Sequence, residues 1–134
     1  IAAALRRVEQ QDLAIVEPDP MLPPEDRVRA ALRRVADPEF LTTEYLSLRL
    51  QLWALSQVHE EFAQINTAAQ KRYRAGLAAL IRAARPGITR AECDTRATDI
   101  SILQNGMWLG ALLSLDRTSI LRTVARTEEV ALAG

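Results

Sequence analysis

The side chains best suited to chemistry in this chain are aromatic, cationic and amide. Of six aromatic residues, two each of Trp, Tyr and Phe, Trp53, Tyr73 and Trp108 fall on or beside the apolar stripes of three different predicted helices. Brought together, they would line an apolar pocket with a few polar anchors, the usual form of a small-molecule site. Kept apart, they are plain core packing. Arg49 lies between two apolar stripes of a central helix. Turned inward, it requires an acidic partner or an anionic ligand, because an unpaired buried charge is costly. Turned outward, it snorkels to solvent. Asn66 and Gln70 sit one turn apart beside Tyr73, and Gln104 and Asn105 flank Trp108. Each of these amides can orient a ligand by hydrogen bonds or serve as an exposed or capping group.

Other chemistries find little support. A single cysteine and a single histidine exclude a disulfide framework, a multi-Cys zinc site and most His-built metal centres. His59-Glu60-Glu61 lacks the His-Glu-x-x-His spacing of a metalloprotease and reads as a surface turn. Cys93, in the first turn of a helix, reads as a small buried residue. No serine or threonine has a nearby base, and no glycine-rich phosphate loop is present. The reading is therefore of a non-enzyme without catalytic residues, metal or cofactor. Seventeen basic residues balance seventeen acidic ones, so the basic footprint of a DNA-binding domain is missing. No apolar run approaches membrane length and no leader pattern opens the chain, so no membrane partner and a cytoplasmic location are expected. The dominance of Arg over Lys, together with abundant Ala, suggests GC-rich coding and a bacterial source.

These residues must be positioned by helices. Ala and Leu are the commonest residues, and both are strong helix formers, while Gly is sparse at five. Residues 1–15 form an uncapped helix with Leu5, Val8 and Ile15 on one face. The stretch 17–26 holds four of the six prolines and is the long loop. A short helix over 25–36 ends at Asp37-Pro38. In the next segment Leu46, Leu48, Leu50 and Leu52 alternate with Ser47, Arg49 and Gln51, a strand pattern. The lack of β-branched residues overrules it in favour of a helix over 42–58, apolar nearly all round and hence inside a bundle. Helical periodicity over 60–84 ends at Arg85-Pro86-Gly87. Thr89 and Glu92 form a capping box that starts a helix running through Ser114, and Asp116 or Thr118 caps a last one. The fold class is all-α, a six-helix bundle. Gly106, Gly110 and Ser114 make a row of small residues on one helix face. A mid-helix Gly costs about 1 kcal/mol relative to Ala, so two of them imply a close neighbour, either a partner subunit or the last helix of the same chain. The last two long helices carry surplus apolar surface, a sign of dimerisation.

The sequence EDRVRAALRRVADPEFLT, the Trp-bearing RLQLWAL, the amphipathic YRAGLAALIRAA and the ILQNGMWLGALL step follow in order. Over roughly residues 25–132 the chain resembles the C-terminal regulatory domain of tetracycline-repressor-like (TetR) transcription regulators, close to the choline-responsive subgroup. Asn105-Gly106-Met107 stands where that family usually has Asp-Gly-Leu. The resemblance implies that residues 1–15 end a helix linking to a DNA-binding head that is not part of this chain, and that 16–134 are a ligand-binding and dimerisation domain. DNA would be a partner only through that missing N-terminal head. The resemblance further implies a homodimer formed through the last two long helices, with Gly106, Gly110, Leu113, Leu121 and Val124 in the interface. An unknown small effector would rest on Leu50, Trp53, Tyr73 and Trp108, oriented by Arg49, Asn66 and Asn105. Its binding would tilt the 1–15 helix and weaken operator binding, two sites coupled through two states. The alternative is a helical adaptor or scaffold that holds a partner helix in an open groove.

Overall fold

The computed structural model describes residues 2–134. Six α-helices follow one another: α1 (Ala2–Ile15), α2 (Pro24–Arg34), α3 (Thr43–Ser56), α4 (Glu60–Ala84), α5 (Arg90–Leu112) and α6 (Arg117–Leu132). A single 3-10 turn, Pro38–Phe40, lies between α2 and α3. No strand occurs among the described residues, so the alternating leucines are helical and the all-α six-helix reading holds.

Local chemistry sets the helix ends. Pro24 opens α2, with Glu25 and Asp26 in its first turn near the positive end of the dipole. Thr42 caps α3 by accepting from the Tyr45 amide at 3.1 Å. Asp116 caps α6, accepting from the Ser119 amide at 3.3 Å. At α5 only half of the expected capping box forms. Thr89 accepts from the Glu92 amide, but the Glu92 carboxylate turns to Arg96 at 3.0 Å instead of returning to Thr89.

The far end of α5 also departs from expectation, because the helix stops at Leu112. Ser114 adopts φ +73, its amide bonds to Ala111 O, and the Leu115 amide bonds back to Gly110 O at 2.9 Å. This is a Schellman ending, normally built on glycine. Ser114 therefore leaves the row of small residues.

Helix α4 is the hub and packs against the other five helices, while α5 packs on α4, α3 and α6. The core holds Ile15, Leu32, Val35, Phe40, Ile81 and Ile100, all nearly fully buried. Each such side chain contributes about 1.5–3 kcal/mol of burial. The end of α1 crosses α4 at Gly76, where an added Cβ would stand 2.6 Å from a Val16 methyl. Arg85, just past α4, ties three helix ends together: it donates to Leu132 O at 3.1 Å and pairs with Glu25.

Helix α3 is not buried all round. Tyr45, Leu46, Arg49, Leu52 and Ser56 face inward, whereas Leu50 is 40 % exposed. A helix with leucine on nearly every face carries no directional signal of its own. Its orientation is set by α4 and α5, which cover one side only.

Candidate functional site

Four helices enclose a cleft. Helix α1 contributes Leu5, Val8, Glu9, Asp12 and Leu13, and α3 contributes Arg49, Leu52 and Trp53. Helix α4 adds Asn66, Ala69, Gln70 and Tyr73, and α5 adds Ser101, Asn105 and Trp108. The structure thus brings Arg49, Trp53, Asn66, Tyr73, Asn105 and Trp108, singled out from the sequence, to one place. Leu50 is not with them. It lines a smaller neighbouring cleft, with Leu46, Leu109 and Leu112, which shares Arg49, Trp53 and Trp108 with the first.

Arg49 is the centre of the site. It is only 2 % exposed, so it does not snorkel, and it finds the acidic partner that burial demands. Its guanidinium grips the Asp12 carboxylate in a two-pronged pair, one prong at 2.9 Å to Oδ2 and the other to Oδ1. The Tyr45 hydroxyl donates to Asp12 Oδ1 at 2.9 Å and accepts from Arg49 at 2.6 Å. Aromatic faces surround the same cation: its central carbon lies 3.9 Å from the Trp108 ring centroid, 5.1 Å from Tyr45 and 5.5 Å from Trp53. Burial alone would lower the Arg49 pKa, but Asp12 and Tyr45 outweigh it and raise it, so the guanidinium stays charged. Burial raises the Tyr45 hydroxyl above its ordinary value of 10.0, Arg49 opposing this and Asp12 adding to it.

Sequence reasoning missed Asp12. The signal was present: Leu5, Val8, Asp12 and Ile15 recur at helical spacing. A carboxylate on an otherwise apolar stripe calls for a buried cation.

The rear wall is a second polar pair. Tyr73 donates to Gln104 Oε1 at 2.7 Å, with both residues buried. Burial, more than any neighbour, raises the Tyr73 pKa. Trp108 is anchored through its indole N–H to Val35 O at 3.3 Å, which links the cleft to the end of α2. Two buried donors, Arg49 Nε and Gln104 Nε2, make no hydrogen bond among the described residues. At the rim, Glu9 is ion-paired with Arg72.

The cleft is narrow. Its cavity volume is about 30 Å³, room for one or two ordered waters. A larger occupant has to part the walls, and one of those walls is α1.

A second feature lies on the outside of α5. Ile102, Leu109 and Leu113 are 64 %, 43 % and 72 % exposed. Gly106 stands between them, with nothing within 4 Å of where its Cβ would be. The spacing 102, 106, 109, 113 is a continuous helical stripe. Leu121 on α6 is also exposed, at 47 %. Two residues named from the sequence do not belong to this face. Val124 is 6 % exposed and packs in the chain's own core, because α6 turns that side toward α5. Gly110 is filled from within: its Cβ would meet Leu115 of the same chain at 3.1 Å.

A family model described as "BetI-type transcriptional repressor, C-terminal" matches residues 24–131. The chain belongs to this family. No curated protein and no solved structure matches it. The BetI-type domain therefore starts at α2 and ends within α6, and the cleft lies between matched helices and α1, which precedes the match. Nothing in the BetI-type assignment points to catalysis, and among the described residues no helix is long and apolar enough to cross a membrane. This placement makes the domain a regulatory part of a transcription repressor.

Proposed function

We propose that the domain is the effector-sensing and homodimerising part of a one-component regulator, and that the cleft between α1, α3, α4 and α5 is its effector site. The observation that carries this reading is the Arg49–Asp12 pair, which joins the aromatic centre of the cleft to α1. Helix α1 corresponds to the helix that links to the DNA-reading head in the family resemblance. An effector that parts the cleft must displace α1 relative to α3, and α1 is held at its far end by the close crossing at Gly76. Displacement is then largest toward the N-terminal end of α1. Coupling of this kind typically amounts to about 1–3 kcal/mol, or 5–150-fold in affinity. Asn66, Gln70, Ser101 and Asn105 provide the polar anchors, and Leu5, Val8, Leu52 and Tyr73 the apolar body of the site. Dimerisation uses the exposed stripe of Ile102, Gly106, Leu109 and Leu113, with Leu121 beside it. Such a stripe suits a second copy of itself across a two-fold axis.

Both tryptophans of the chain line the cleft, so intrinsic fluorescence reports its occupancy directly. The test is a fluorescence screen of a metabolite collection, followed by hydrogen exchange on each binder. The reading expects a binder that shifts tryptophan emission and also alters amide exchange over residues 5–15. Binders that shift emission while α1 exchange stays unchanged would refute the coupling.

A further inference from the structure

The charges lining the cleft are balanced before any effector arrives. Two carboxylates, Glu9 and Asp12, reach the site, and each is matched by a guanidinium of the same chain, Arg72 and Arg49 respectively. A charged effector of either sign would thus meet no unmatched counter-charge and would have to shed its own hydration. The aromatic faces are also taken. Trp108, Tyr45 and Trp53 surround the Arg49 carbon at 3.9, 5.1 and 5.5 Å, the distance range in which such rings hold a cation. Among the described residues, the two fully buried side-chain polar atoms without partners, Arg49 Nε and Gln104 Nε2, are both donors. Of these two residues only Arg49 lines the cleft, and an occupant that satisfies its Nε has to bring an acceptor atom.

From these observations we infer that Arg49 is a resident cation filling the aromatic cage, and that the site accepts an uncharged, largely apolar effector presenting a carbonyl or hydroxyl oxygen. A quaternary ammonium compound is rejected because Arg49 already occupies the surface it would need. An organic anion is rejected because Asp12 already neutralises Arg49. The inference rests on the effector-site reading given above and specifies the chemical class that the site takes.

Three compounds of nearly one shape separate the classes: choline (cation), neohexyl alcohol (its uncharged carbon isostere) and the anion of tert-butylacetic acid. Each is titrated against tryptophan fluorescence of the purified protein at matched ionic strength. The alcohol is expected to bind at least about tenfold more tightly than either ion, a difference of about 1.4 kcal/mol. Either ion binding as tightly as the alcohol would overturn the inference and leave the effector site standing. No binding by any of the three would remove the effector-site reading, and the inference with it. Arg49→Met empties the cage and leaves Asp12 without its counter-charge, so choline should gain at least about tenfold relative to the alcohol. An unchanged preference in that variant would show that Arg49 is not the occupant that matters. Should Arg49→Met fail to fold, Arg49→Lys keeps the charge and must retain the preference for the alcohol; a loss of that preference counts against the inference.

Discussion

Removing Asp12 should cost far more than its position near the start of the chain suggests. Arg49 is 2 % exposed and its side chain 3 %, whereas the Asp12 side chain is 18 % exposed through the cleft. Asp12→Leu leaves a buried guanidinium without a counter-charge, and breaking a buried pair in this way costs about 3–5 kcal/mol. Arg49→Met leaves a carboxylate that water can reach through the cleft and that keeps the Tyr45 hydroxyl, so its cost is lower, about 2 kcal/mol. The double variant Asp12→Leu/Arg49→Met replaces the pair by apolar groups and should lie within about 1–2 kcal/mol of the wild type. The assay is urea unfolding followed by far-ultraviolet circular dichroism at fixed protein concentration, since a dimer's stability depends on concentration. The expected pattern is Asp12→Leu worst, Arg49→Met intermediate, and the double variant recovering at least about 3 kcal/mol relative to the sum of the singles. Against a total of about 5–15 kcal/mol for a typical domain, the first change alone threatens the fold. Single variants costing under about 1 kcal/mol each, with additive effects, would place the pair among weak surface bridges and refute the reasoning.

Other expectations are independent of that pair's energy. Both tyrosines of the chain, Tyr45 and Tyr73, have hydroxyls raised above the ordinary 10.0, chiefly by burial. The stability tied to them is complete below pH 10.0 and is lost as pH rises toward the folded values. An alkaline titration should therefore show no phenolate absorbance until helicity is lost, and early ionisation of either residue in the folded protein would contradict the burial argument. Ser114 holds a left-handed conformation at φ +73, so Ser114→Gly should stabilise the domain by about 0.5–1 kcal/mol after allowing for unfolded-state entropy; a destabilised variant in the same urea assay would show that the strain is absent. The double change Leu109→Glu/Leu113→Glu alters exposed positions and should leave helicity intact while turning a dimer into a monomer in sedimentation velocity. A dimer that survives it must use another face.

The sequence was most informative where a backbone position dictates its own residue. Thr89 marks one helix start, Asp116 or Thr118 another, and Pro86-Gly87 marks a stop, because caps and breakers act locally. The cleft was legible in part, because Tyr73 and Trp108 fall on the buried faces of α4 and α5, whereas Trp53 joins them only once the neighbours of α3 have fixed its roll. What escaped depends on partners distant in sequence. Asp12 could be read as a polar interruption until Arg49, far along the chain, was seen beside it. Helix α3 has leucines on several faces, so only its neighbours decide that Arg49 turns in and Leu50 out. Val124 shares its apolar character with Leu121, and which of them faces outward follows from the roll of α6 against α5. Gly110 looked like Gly106 in the sequence, yet Leu115 of the following turn fills the space over one and leaves the other open.

The most direct test of the whole account is native mass spectrometry of the purified chain beside a variant with the cleft filled. Ala69 lines the cleft without being fully buried, so Ala69→Phe occupies the site while sparing the core. After incubation with neohexyl alcohol, or with any binder from the fluorescence screen, the wild type should appear as a dimer carrying the added mass. Ala69→Phe should appear as a dimer without it. A wild-type monomer with no added mass, or equal retention by the variant, would contradict the assignment of this cleft as the effector site of a dimeric regulator.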